Sequence, residues 1–125
     1  MDLSKLREED QSVVASVVKY LSERGLEATL HGGATRGNKT YGDVDLLAVG
    51  NVNAVLAVMR GFEILSGYES SDFKGTPFEG LELKVEHVGG KQLYCSISVD
   101  ERYKITVGNT EIDVSLKTAN VATQE

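Results

Sequence analysis

Two acidic residues one position apart, Asp43 and Asp45, follow a glycine-rich run, Gly32-Gly33-Ala34-Thr35-Arg36-Gly37. Side chains alternate across a strand, so an extended 43–49 projects both carboxylates from one face. Two like charges that close repel, and a divalent cation is the usual offset. Hard oxygen ligands suit magnesium or manganese. Glycines just upstream let backbone N–H groups approach a phosphate, because no Cβ stands in the way. A phosphate cradle beside paired carboxylates is the equipment of metal-assisted phosphoryl or nucleotidyl transfer.

A third acid lies in Thr110-Glu111-Ile112-Asp113-Val114-Ser115-Leu116. Asp113 shares a face with Glu111 and Ser115, while Ile112, Val114 and Leu116 turn toward a core. Were this strand to lie beside 43–49, Asp113 would complete a cluster of three carboxylates. Glu111, with its longer side chain, is the second choice for that place. Arg36 suits a phosphate contact through its guanidinium fork. Lys39 reads as a solvated loop residue, His31 as a structural neighbour of the glycine turn, and His87 as an ordinary strand residue.

The elements that must position these groups are legible in outline. Apolar residues Leu6, Val13, Val14, Val17, Val18 and Leu21 recur at helical spacing and predict a helix over 4–24. Ser4 is its expected N-cap and Gly25 its stop. A strand over 26–30 leads into the glycine turn, and a second covers 43–49. Asn51 caps a short helix, 52–60, closed by Gly61, and 62–66 reads as a strand. Residues 67–80 form a loop in which Tyr68 and Phe73 offer ring faces to a base. Strands are then expected over 81–88, 91–99, 103–107 and 111–116, with turns at Gly89-Gly90, at 100–102 and at 108–110. Glu82, Lys84 and Glu86 make a charged strand face that reads as solvent-facing, with blunting of a sheet edge as the alternative. The tail, 117–125, is expected to fray.

At 125 residues the chain forms a single domain, 1–125, of the α+β class. No apolar run is long enough to span a bilayer, which excludes a helical membrane protein. A single cysteine, Cys95, cannot make an intramolecular disulfide and fits a reduced, cytoplasmic setting. The net charge of −6 counts against binding a long nucleic acid without a partner, since that affinity rests on Lys and Arg neutralising phosphates. A nucleoside triphosphate is the expected minimum ligand.

The order helix, strand, Gly-Gly turn, Asp-x-Asp strand and later acidic strand resembles the nucleotidyltransferase superfamily typified by DNA polymerase beta. The runs 32–37 and 41–47, with 111–114, look like the palm of family X polymerases. The resemblance implies a palm-like fold, a mixed sheet flanked by helices. It implies that Asp43 and Asp45 ligate two magnesium (or manganese) ions and Asp113 the catalytic one. Gly32 and Gly33 would offer backbone to the triphosphate, and Arg36 would meet its terminal phosphates. The implied activity moves a nucleoside monophosphate from an NTP to an acceptor hydroxyl, releasing pyrophosphate. Two departures stand out. Gly33 replaces a frequent serine, for which Thr35 is a possible substitute, and a chain this short has no room for fingers, thumb or lyase domains. It is similar to the minimal nucleotidyltransferases of prokaryotes, some of which work with a small helical protein partner. A homodimer is the other way to complete an open site. The alternative function is an antitoxin-like or regulatory subunit that acts through a protein partner with weak or no catalysis.

Overall fold

The computed structural model describes residues 3–37, 40–66, 82–94 and 97–119. The expected loop 67–80 with Tyr68 and Phe73, together with Lys39 and Cys95, lies outside the described residues. Two helices and five strands follow one another as α1 (Glu8–Ser22), β1 (Glu27–His31), β2 (Val44–Gly50), α2 (Val52–Ser66), β3 (Leu83–Tyr94), β4 (Ile97–Val107) and β5 (Thr110–Thr118), with a 3-10 turn, Gly32–Arg36, after β1. The strands form one mixed sheet in the order β1-β2-β5-β4-β3, in which only β2 and β5 run parallel. The fold is α+β.

Strand alternation divides the sheet into two unlike faces. Val44, Leu46 and Ala48 on β2, Ile112, Val114 and Leu116 on β5, and Tyr103, Ile105 and Val107 on β4 are buried in one core with both helices. Val13, Val14, Val17 and Leu21 of α1 join Val55, Val58, Phe62 and Leu65 of α2 in that core. Tyr20 stacks on Phe62 at 5.8 Å, and Phe62 meets Tyr103 edge-on at 4.9 Å, which ties helix to helix and helix to sheet. The expected flanking by helices is therefore one-sided. The opposite face carries Asp45, Asp113, Arg102 and Lys104, and on it Leu47 and Ser115 are also buried.

Several sequence expectations are corrected. Helix α1 begins at Glu8 and not at Ser4, because Arg7 adopts φ −58°, ψ 146° and gives its N–H to the Tyr41 hydroxyl. Leu3–Leu6 instead form a separate turn closed by the Leu6 N–H on the Leu3 carbonyl. At the other end Gly25, at φ +89°, terminates the helix as expected, with the Leu26 N–H bonded to the Leu21 carbonyl. Gly61 does not close α2. The helix runs through it to Ser66 and replaces the expected strand 62–66, because Val55, Val58, Phe62 and Leu65 continue one buried stripe. Gly89 and Gly90 lie within β3 beside a bulge, and 100–102 lie within β4, so the three segments expected over 81–88, 91–99 and 103–107 are two long strands paired with each other. Lys117 and Thr118 belong to β5 and do not fray, and the rest of the expected tail, 120–125, lies outside the described residues.

Gly61 is in the helix because of what it touches. A Cβ there would lie 2.6 Å from the Tyr20 hydroxyl oxygen. That ring is held between Phe62 and the Arg24 guanidinium, which sits 3.6 Å above its centroid. Gly61→Ala should therefore destabilise the protein by about 1–2 kcal/mol through overpacking. In a Tyr20→Phe background, where the hydroxyl is gone, the same substitution should stabilise by up to about 1 kcal/mol through helix propensity. Chemical denaturation of the four proteins checks this reversal of sign.

Candidate functional site

Parallel pairing of β2 with β5 sets Asp45 directly beside Asp113. Neighbouring strands are about 4.8 Å apart, so two same-face carboxylates at paired positions must meet. Asp43 precedes the first paired residue of β2, Val44, and rises on the same side. One carboxylate oxygen from each of Asp43, Asp45 and Asp113 lies within 4.8 Å of the others, and all three residues are partly buried. The sheet thus brings together the three acids that the sequence singled out. Glu111 is not in the cluster; it is exposed and pairs with Lys104 at 2.6 Å.

The glycine run forms the wall beside them. Gly32 adopts φ +73°, and a Cβ there would collide with the Asp45 carboxylate. Only glycine meets both conditions. Gly33 is different, since a Cβ would make an ordinary 3.6 Å contact with Tyr41 and its φ is not positive. A serine would fit there. The Thr35 hydroxyl, the candidate substitute for it, donates to the Gly32 carbonyl at 2.6 Å and braces the turn. Arg36 is exposed at the end of the turn, just before Gly37 at φ +79°. His31 pairs in register with Asp45, and its Nε2 lies 2.9 Å from the Thr29 hydroxyl. His87 is on β3, 2.5 Å from Glu101 and against the Tyr103 ring, remote from the acids in the sheet order.

Two cations in the neighbourhood were not legible as site residues. Arg102 on β4 brings Nη2 to 4.0 Å from Asp113 Oδ2, with the two side chains 23% and 18% exposed. Lys104 pairs in register with Asp113. Its ammonium is held protonated by Glu111 foremost, with Asp113 and Asp43 adding to the effect. The usable signal was alternation: Arg102, Lys104 and Thr106 interleave with Tyr103, Ile105 and Val107, which extends the strand through the expected turn.

Burial, a hydrogen bond to Asp43 and the charges of Asp43 and Asp45 push the Asp113 carboxyl up to about 7, while Arg102 pulls the other way. A divalent cation among these oxygens would remove that repulsion. Ligand atoms lie about 2.1 Å from magnesium, so adjacent ligands are about 3.0 Å apart and opposed ones about 4.2 Å, and the three oxygens would draw together around a bound ion. The donor set fits a hard divalent ion.

The raised Asp113 fixes the sign of a pH effect. The folded protein holds this proton more tightly than the unfolded chain, whose carboxyl titrates near 4. Its stabilising contribution is therefore complete below about pH 4 and is lost as pH rises toward 7. In metal-free buffer Asp113→Asn should be more stable than the wild type at pH 8 by on the order of 2–4 kcal/mol. The advantage should shrink toward pH 4, which urea denaturation across that range measures.

No family model, no curated protein and no solved structure matches this chain, so the site stands on its own geometry.

Proposed function

We propose that this chain is a metal-dependent nucleotidyltransferase with a palm-like fold akin to that of DNA polymerase beta. It would move a nucleoside monophosphate from an NTP to an acceptor hydroxyl and release pyrophosphate. The single observation that carries this reading is the meeting of Asp43, Asp45 and Asp113 beside a glycine that must stay a glycine. Asp43, Asp45 and Asp113 would hold magnesium or manganese, which when bound neutralises charge on the phosphates and aligns the reacting oxygens. Gly32 and Gly33 would turn peptide N–H groups toward the triphosphate, and Arg36, exposed and unencumbered by bulk, would reach its terminal phosphates. Asp113 would stand beside the acceptor hydroxyl and is suited by that place to accept its proton.

The acceptor would approach along β5 and β4, past Arg102 and Lys104, which stand on the same face as Asp113. No helix of the described residues is long and apolar enough to cross a membrane. A partner chain, either a helical protein or a second copy, could supply the rest of the acceptor's binding surface.

Thermal unfolding with each NTP in magnesium or manganese tests the reading, with Asp43→Ala/Asp45→Ala alongside. A ligand at a hundredfold excess over Kd stabilises by about 2.7 kcal/mol. For a domain of this size that raises Tm by on the order of 10 °C. The shift should require the metal and vanish in the double variant. Comparison is of the ligand-induced shift, since removing two repelling carboxylates changes the baseline. A wild type unmoved by every nucleotide would favour the regulatory, partner-dependent alternative.

A further inference from the structure

Strand pairing explains the place of only two of the three acids. Asp45 is fixed by His31 on one side and Asp113 on the other. Asp113 is fixed additionally by Lys104 on β4. Asp43 has no such support, because pairing of β2 with β5 starts at Val44↔Ile112 and pairing with β1 ends at Asp45. Something else must hold the segment that carries it.

Two residues upstream, Tyr41 is buried at 8% exposure and gripped at both ends. Its hydroxyl donates to Asp10 Oδ2 at 2.5 Å and accepts the Arg7 backbone N–H at 2.8 Å. Its carbonyl accepts from Arg7 Nη2 at 3.1 Å, and the Arg7 guanidinium lies 4.3 Å from its ring centroid. Asp10 is a charged residue only 4% exposed, in the first turn of α1. Besides Tyr41 it accepts Arg7 Nε at 3.3 Å and, through Oδ1, the Thr110 hydroxyl at 2.7 Å. Thr110 opens β5, three residues before Asp113. A buried carboxylate therefore ties the approach to Asp43, the start of the Asp113 strand and helix α1 to one point. Those hydrogen bonds hold Asp10 ionised against the opposing effect of burial.

We infer that Tyr41 and Asp10 are positioning residues that hold Asp43 at cation-binding distance from Asp45 and Asp113. The inference rests on the reading of the three carboxylates as a cation site, and it assigns that site's third ligand to an anchor in helix α1 and not to the sheet. Partners that orient a metal ligand commonly contribute ten- to a hundredfold to affinity. Thr110 supplies a matched comparison. Tyr41→Phe and Thr110→Val each remove one hydroxyl donor from the same carboxylate, but Asp113 keeps its strand pairing whereas the segment carrying Asp43 loses its tie to Asp10.

The test is Mn2+ binding to the protein alone, by calorimetry, well below the melting temperatures of wild type, Tyr41→Phe and Thr110→Val. Tyr41→Phe should weaken Mn2+ by about tenfold or more and Thr110→Val by less than about threefold, although both lower Tm. Equal weakening in the two variants, or unchanged affinity in Tyr41→Phe, would overturn the inference. Amide order parameters for Gly42 and Asp43 give a second readout that needs no metal. They should fall in Tyr41→Phe and hold in Thr110→Val, and the absence of that contrast overturns the anchoring. A wild type that binds no Mn2+ defeats the cation-site reading instead, and with it the inferred role in metal binding.

Discussion

The parallel contact between β2 and β5 is the constraint from which the rest follows. It is the one parallel pairing in the sheet, and it forces two acidic residues side by side at Asp45 and Asp113. A parallel pair cannot be joined by a tight turn. Helix α2, β3 and β4 are strung between the two strands and return the chain to β2 on its open side. Their packing then covers one face, through Phe62 against Tyr103 and the valines of both helices. The apolar alternation that makes this core is the same alternation that turns the acids outward. Core and charge cluster are two readings of one register, and a slip by one residue would bury the carboxylates.

Repulsion within the cluster is tolerated because the surrounding core carries the stability. Asp113 meets it by holding its proton more tightly than a free carboxyl does, and Arg102 nearby offsets part of the repulsion by its own charge. Gly32 meets it sterically, leaving space for the Asp45 carboxylate that any side chain would take. Repulsion of this kind, concentrated in a few residues, is offset elsewhere in the fold.

What the sequence made legible was local. Alternation alone put Asp43 with Asp45 and Asp113 opposite Ile112 and Val114, and Gly25 announced the end of α1. The failures are all cases where a distant partner decides. Gly61 reads as a stop until Tyr20 is seen to occupy the space over it. Gly89-Gly90 reads as a turn, yet the chain stays extended there, and a side chain at Gly90 would run into the Glu101 carboxylate. Taking 100–102 for a turn concealed Arg102. Asp10 reads as an acid complementing a helix dipole. Its actual partners, Tyr41 and Thr110, are 31 and 100 residues away, a distance no spacing rule spans.

Placing both helices on one side of the sheet has an evolutionary consequence. The main core and the three acids occupy opposite faces of the same strands, although Leu47 and Ser115 are buried on the acids' side. Tyr103, Ile105 and Val107 face inward, while Arg102, Lys104 and Thr106 between them face out. Substitutions at Lys104 and Thr106, which keep some exposure, can change the charge of that face while leaving the volume and polarity of the core untouched. Such changes are open to selection in single steps, without a loss of core packing that a second mutation would have to repair.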